Sequence, residues 1–432
     1  MSTLSSAVPG ALPLAWPDKY LCLDPDPTQL RFAGALRREG PPPAHEELRE
    51  MLAGAVGQVP ALGYRVTGRG WRRRFEPCPD YDPDDHIEFV RYPCGQEPAL
   101  CVLDALERPF PHGRSPWSLQ VISGYRDTEH LLVYRVCHLL QDGMGASLTA
   151  HALLSGNALP PPGPPLPAEP VTAQHLLRGA QFLPRFLQRP ARWLPAGRPE
   201  PGPALAPVVL DRSAFDDITR STGAGTAQIC LAVLAGALRA WAPHHWDGTA
   251  GRRQRRGLPV HMTLDLRGPR ERTTLGNHVG IVPLTLPCGE ASPTQRLQQT
   301  LRQADYGRLG QYRRLLRGFL HGANGAQWPA AWLCRTLEKP RPLVTMVSTQ
   351  VDVSRLGAME LLTIPPRPRH VPGGFIFIHQ PSTITACAAF HLDHPGTGLL
   401  PGLLTDALTE LHAATTGHPA RGRAARTPTK TS

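Results

Sequence analysis

The sequence predicts an α/β protein built as two sandwich lobes, and three observations carry that prediction. Short β-branched or alternating runs are mixed with amphipathic runs in both halves of the 432 residues. The length is enough for two separate cores. Two Pro-rich breaks, residues 160–170 (PPPGPPLPAEP) and 195–207 (PAGRPEPGPALAP), divide the chain, and such stretches are stiff and extended. The expected organisation is a first lobe over 1–159, a linker over 160–207, a second lobe over 208–416 and a disordered basic tail over 417–432.

In the first half, residues 46–55 read as a helix, as do 100–107, where Val102 and Ala105 share a face. Residues 117–122 are strand-like. Residues 130–138 alternate: His130, Leu132, Tyr134, Val136 and His138 lie on one side, Leu131, Val133, Arg135 and Cys137 on the other. A helix over 143–154 follows. Between the Pro-rich breaks, 174–186 reads as a short helix. The second half opens with a strand at 208–210 and a short helix capped by Ser213. Residues 226–241 (TAQICLAVLAGALRAW) are apolar nearly all round, which predicts a buried helix. Strands are expected at 260–266 and 281–286, then one long polar helix over 293–312. Strands at 344–353, 374–379 and 383–391 follow. A helix over 402–415 closes the fold, with Leu404, Leu408 and Leu411 on one stripe.

The formal charge is +11, with Arg far more frequent than Lys. The basic runs, Arg72-Arg73-Arg74, Arg252-Arg253 with Arg255-Arg256, and the tail over 421–430, are not interleaved with aromatic residues. They read as solvated surface rather than a nucleic-acid interface, although they permit weak peripheral contact with anionic lipid. No apolar run approaches the ~20 residues of a membrane-spanning helix. The opening residues lack a basic region followed by an apolar core, so no signal peptide is expected. The nine Cys are scattered without a CxxC pair, which points to reduced thiols and a cytoplasmic location.

The chemistry concentrates in Cys137-His138-Leu139-Leu140-Gln141-Asp142-Gly143, at the end of an apolar strand. His138 is suited to general base catalysis near neutral pH. Gly143 has no Cβ, so a reacting oxygen can approach its N–H, and a helix starting there adds its positive end. Asp142 either touches the imidazole or clamps the loop by pairing with an Arg; the clamp is favoured, with Arg267 as the partner. Cys137 is excluded as a nucleophile acting with His138, because neighbours on a strand point to opposite faces. HxxxDG is only moderately specific, and a His satisfied by a backbone carbonyl is the plain alternative. His391-Leu392-Asp393-His394 and His244-His245 read as polar side chains facing solvent, and no metal is expected. The Gly-rich stretch over 221–226 lacks the GK[ST] ending of a phosphate loop. His278 either faces a tunnel or sits in a surface loop, and Trp117 reads as core.

CHLLQDGMGAS resembles the HHxxxDG motif of the condensation-domain and chloramphenicol-acetyltransferase-like superfamily, and most of all the bacterial wax ester synthase/diacylglycerol acyltransferases. YDPDDHIEFVRYPCGQ (81–96), RPFPHGRSPWSLQVISGY (108–125), TAQICLAVLAGALRAW and LPVHMTLDLRGPRERTTLGNHVGIVPLTLP (258–287) resemble further segments of that family, in the right order across 14–411. The resemblance implies two acetyltransferase-like lobes forming a V with a tunnel at their interface. It implies His138 as base, Asp142 in a structural role and Gly143 at the oxyanion. Arg267, Gly276 and Asn277 would shape the second-lobe wall, with Cys137 and Ser348 also beside the substrate. Cys137 replaces the first motif His, Ser118 replaces an acidic residue, and Ser348-Thr349-Gln350-Val351-Asp352 stands where the family has NVPGP.

The expected function is acyl transfer from an acyl-CoA or carrier-protein thioester to an acceptor hydroxyl or amine, in specialised-metabolite or lipid biosynthesis. It needs no cofactor beyond the thioester substrate. Two alternatives are a free-standing condensation enzyme working on a carrier-bound substrate, for which an acidic acyl or peptidyl carrier would match the positive charge, and a non-catalytic relative that recruits a partner enzyme.

Overall fold

The computed structural model describes residues 10–23, 30–69, 72–164, 172–174, 177, 194–202, 204–246, 257–322, 343–350, 356–365 and 372–417, without the side chains of 319–322 and 343–350. The first half supplies β1 (Leu12–Pro13), α1 (Trp16–Leu21), β2 (Arg31–Glu39), α2 (His45–Ala53), α3 (Ala55–Gln58), β3 (Tyr64–Thr67), β4 (Arg74–Pro77), β5 (Ile87–Arg91), α4 (Pro98–Glu107), β6 (Trp117–Ser123), β7 (Glu129–Cys137) and α5 (Gly143–Ser155). The second half supplies β8 (Ala204–Asp211), α6 (Arg212–Thr222), α7 (Thr226–Trp241), β9 (Leu258–Asp265), β10 (Val279–Leu286), α8 (Pro293–Gln303), α9 (Tyr306–Gly322), β11 (Leu343–Gln350), β12 (Glu360–Ile364), β13 (Gly373–His379), β14 (Thr383–Phe390) and α10 (Leu400–Thr416).

These elements form the two expected α/β lobes. The second-lobe sheet has the order β10-β9-β11-β13-β14-β8, and the first-lobe sheet the order β12-β2-β7-β6-β5. β7 is buried on both faces, as its alternation requires. Leu132, Tyr134 and Val136 join a core with Leu48, Leu52 and Trp117, while Leu131 and Val133 pack with Cys101, Val102 and Ala105 of α4. The all-apolar α7 lies under the second sheet, where Ile229, Leu234 and Leu238 share a core with Phe375, Phe377, Leu404 and Leu408. β13 alternates across the seam between lobes. Phe375 and Phe377 face the second-lobe core, whereas Ile376 and Ile378 belong to the core of the first.

Several expectations need correction. β12 comes from the second half of the chain but pairs antiparallel with β2, from Glu360 opposite Arg37 to Ile364 opposite Ala33. The second lobe is therefore not a closed stretch of sequence. β8 starts at Ala204, inside the expected linker, because its whole length pairs with β14. α6 is capped by Asp211, whose carboxylate accepts from the Ser213 N–H at 3.0 Å, rather than by Ser213. The long helix expected at 293–312 is two helices, since Asp305 caps a new start by accepting from the Arg308 N–H at 2.9 Å. Most of the helix expected at 174–186 and nearly all of the tail lie outside the described residues.

Candidate active site

β7 delivers the motif to the seam. His138 follows the last strand residue, and its backbone N–H donates to the Leu30 carbonyl at 2.5 Å. Leu140 N–H then donates to the Cys137 carbonyl at 2.9 Å, which closes a turn. Asp142 is the N-cap of α5: extended itself, it accepts from the Gly145 N–H at 2.9 Å. Gly143 is the first helical residue, so its N–H has no partner within the helix. A Cβ built on Gly143 would meet nothing within 4 Å among the described residues. Gly143 thus presents no side chain there, and it lines the cavity between the lobes.

Asp142 is clamped from the second lobe. Arg267 Nη1 donates to Asp142 Oδ2 at 2.5 Å, and the His278 N–H donates to the same oxygen at 3.0 Å. Arg267 Nη2 also donates to the Gly276 and Thr274 carbonyls, at 3.1 and 3.3 Å. Both side chains are buried. Burial pushes the Asp142 carboxyl up, but the Arg267 charge and the donated N–H groups prevail and hold it at about 2. Asp142 thus orients the loop and is not bonded to the imidazole.

A second brace was not evident from the sequence. Asn277 donates its side-chain amide to the His138 carbonyl and, at 2.8 Å, to Asp18 Oδ1, which also accepts the Asn277 N–H at 2.7 Å. Asp18 Oδ2 accepts the Ala15 N–H at 2.9 Å. The preceding Gly276 has φ +77°, and a Cβ there would collide with the Asp18 carboxylate; only glycine suits both demands. Burial raises the Asp18 carboxyl to about 7 against these hydrogen bonds. Its sole sequence signal is a charged residue inside the apolar LPLAWPDKYL.

A cavity of about 200 Å³ opens between the lobes beside the motif. His138, Asp142 and Gly143 line one part of it. Phe32 and Leu36 of β2, Leu132 of β7, Leu361 of β12 and Ile376 and Ile378 of β13 give most of it an apolar wall. His138 Nδ1 is buried without a hydrogen-bond partner among the described residues, and the ring lies 5.1 Å from that of Phe32. Burial lowers the His138 pKa below its ordinary value, against the opposing charge of Asp142, so the imidazole is a free base at neutral pH.

Of the expected site residues, the structure brings His138, Asp142 and Gly143 to one cavity and sets Arg267 and Asn277 directly behind them. Arg267 and Asn277 are not among the lining residues, so the described geometry corrects their reading as substrate contacts: both are occupied bracing the loop. Cys137 needs the same correction. It points away from His138, packs with Leu30 and Leu139, and burial pushes its thiol up to about 11. The side chain of Ser348, on β11, lies outside the described residues. His278 is buried, with its ring bonded to the Leu275 carbonyl at 3.0 Å. Trp117 is core. Ser118 accepts from Arg135 Nε at 3.1 Å beside the part-buried Arg135–Glu88 ion pair of 2.7 Å.

Residues 29–223 match the family model of the wax ester synthase/diacylglycerol acyltransferase catalytic domain. No curated protein sequence matches the chain. Among solved structures, the first condensation domain of the CDA synthetase is similar at 18% identity and a TM-score of 0.63, over 95% of this chain and 98% of that one. The wax ester synthase/diacylglycerol acyltransferase from Marinobacter aquaeolei VT8 is similar at 16% identity and a TM-score of 0.60, over 94% and 100%. The starter condensation domain of the rhizomide synthetase RzmA, solved as a mutant with C8-CoA, is similar at 15% identity and a TM-score of 0.61, over 95% and 96%. The chain thus matches the wax ester synthase/diacylglycerol acyltransferase catalytic-domain model over residues 29–223 and shares the fold of these condensation-domain and acyltransferase structures along nearly its whole length.

Proposed function

We propose that the protein is an O-acyltransferase that moves an acyl group from an acyl-CoA thioester to an acceptor hydroxyl in one ternary complex. The observation that carries this reading is that His138 and Gly143, the first residue of α5, line one wall of the same interlobe cavity. His138 takes the proton of the hydroxyl as its oxygen attacks the thioester carbonyl. The Gly143 N–H and the start of α5 stabilise the resulting oxyanion. As the carbonyl re-forms, the C–S bond breaks, and the thiolate recovers the proton from the imidazolium. Neither an acyl-enzyme nor a metal enters this scheme. Reduced, scattered thiols support a cytoplasmic setting, and the basic surface supports transient contact with anionic lipid.

The test is thiol release from acyl-CoA in the presence of an alcohol. His138→Ala should lower kcat by ~10²–10⁴ with an unchanged circular dichroism spectrum; wild-type turnover in that variant refutes the assignment. The net charge of +11 favours a second reading of the donor, an acidic acyl carrier protein. Competition between acyl-CoA and acyl-carrier thioesters separates the two.

A further inference from the structure

β2 reads RFAGALRRE, and Phe32, Gly34 and Leu36 share its cavity face. In register, Gly34 lies beside Tyr134 of β7 and Thr363 of β12, and Leu36 lies beside Leu132 and Leu361. All of these line the cavity. Gly34 is therefore a notch in a floor otherwise covered by side chains.

The backbone does not ask for glycine at this position. Gly34 is not among the glycines with positive φ. Among the described residues, an added Cβ would meet only Leu361 Cδ1, at an ordinary 3.8 Å. Glycine weakens a strand interior, so neither conformation nor packing accounts for it. The empty space does. Tyr134 stands four residues before His138, roughly 13 Å along the strand at about 3.3 Å per residue. The cavity continues past the Gly34–Tyr134 row to Leu36, Leu132 and Leu361. A side chain at position 34 would close the passage between the His138 end and this apolar end.

We infer that Gly34 is the residue that sets acyl-chain length: the notch passes a saturated, unbranched chain of medium length whose carbonyl lies at His138. The inference rests on the acyltransferase reading for the chemistry at His138, but the binding it predicts can be measured without turnover.

The experiment compares wild type, Gly34→Ala and Gly34→Leu with saturated acyl-CoA thioesters from acetyl to dodecanoyl. Thiol release and calorimetric binding are both measured, and thermal melts establish folding. Wild type should bind and turn over octanoyl and decanoyl best. Gly34→Leu should keep acetyl binding but lose at least tenfold for decanoyl, since each excluded methylene is worth about 10–200-fold; Gly34→Ala should fall between. If no thioester is turned over yet the binding profile shortens, the acyltransferase reading fails and this inference stands. If the chain-length profile of folded Gly34→Leu equals that of wild type, the inference is overturned. Should Gly34→Leu not fold, Gly34→Ala decides by the same comparison.

Discussion

Arg267 and Asp142, 125 residues apart in sequence, meet in a buried ion pair of 2.5 Å that ties the second lobe to the cap of the motif helix. The pair holds in place the loop that carries His138 and Gly143. Removing one partner leaves an uncompensated buried charge, which costs about 3–5 kcal/mol. Arg267→Met should therefore destabilise the protein by that order in urea denaturation. The double variant Arg267→Met with Asp142→Leu should recover part of the loss, because no lone charge remains. Additive losses in the two single variants would contradict the coupling.

The pH dependence of turnover follows from His138. Its neutral form is the base, and burial lowers its pKa. Activity should stay level as pH falls through about 6.5, the ordinary histidine range, and decline only below it. A limb in the kcat/KM profile at or above about pH 7 would show that another group governs proton transfer.

Asp18 gives a stability signature of the opposite kind to Asp142. Its folded pKa is raised from 3.8 to about 7, so it contributes stability that is full below 3.8 and is lost as pH rises through about 7. Asp142 is lowered from 3.8 to about 2; its contribution is present above 3.8 and lost as pH falls through about 2. Wild type should thus lose Tm relative to Asp18→Asn between about pH 4 and about pH 7, and the difference should level off above that. Parallel Tm curves for the two proteins would show that Asp18 does not titrate there.

Asn277→Ala removes the amide that holds the His138 carbonyl and leaves Asp18 with fewer donors. It should lower kcat more than it raises KM, since the cavity wall is untouched. A change confined to KM would mean that Asn277 contacts substrate.

Cys137→Ala should leave turnover nearly unchanged, because the thiol packs against Leu30 and Leu139 rather than the imidazole. The expected stability cost is roughly 0.5–1.5 kcal/mol, that of deleting one small buried group. A large loss of kcat in the folded variant would restore a role for this position in catalysis.

Much of the architecture was legible because burial and periodicity agree. β7 and α7 are long, strongly patterned and buried, and their limits fell within a residue or two of expectation. The local motif and the capping role of Asp142 could be read because one strand, one turn and one helix start carry them. What escaped depended on tertiary partners. β2 carries three arginines and a glycine, which mask its alternation until its neighbours β7 and β12 are known. The break at Asp305 is a local cap hidden in a uniformly polar run. Asp18 lies in a six-residue helix whose partner is 259 residues away, a separation that no local pattern reports.

The exchange of β12 onto β2 ties the two halves into one topological knot of dependence. A fragment ending before residue 204 would expose the flank of β2 as a bare edge inviting self-association, and a fragment starting there would carry a stray strand with nothing to complete. The gene product is therefore expected to melt in a single calorimetric transition rather than lobe by lobe, and splitting it for separate expression should yield aggregates instead of two working halves.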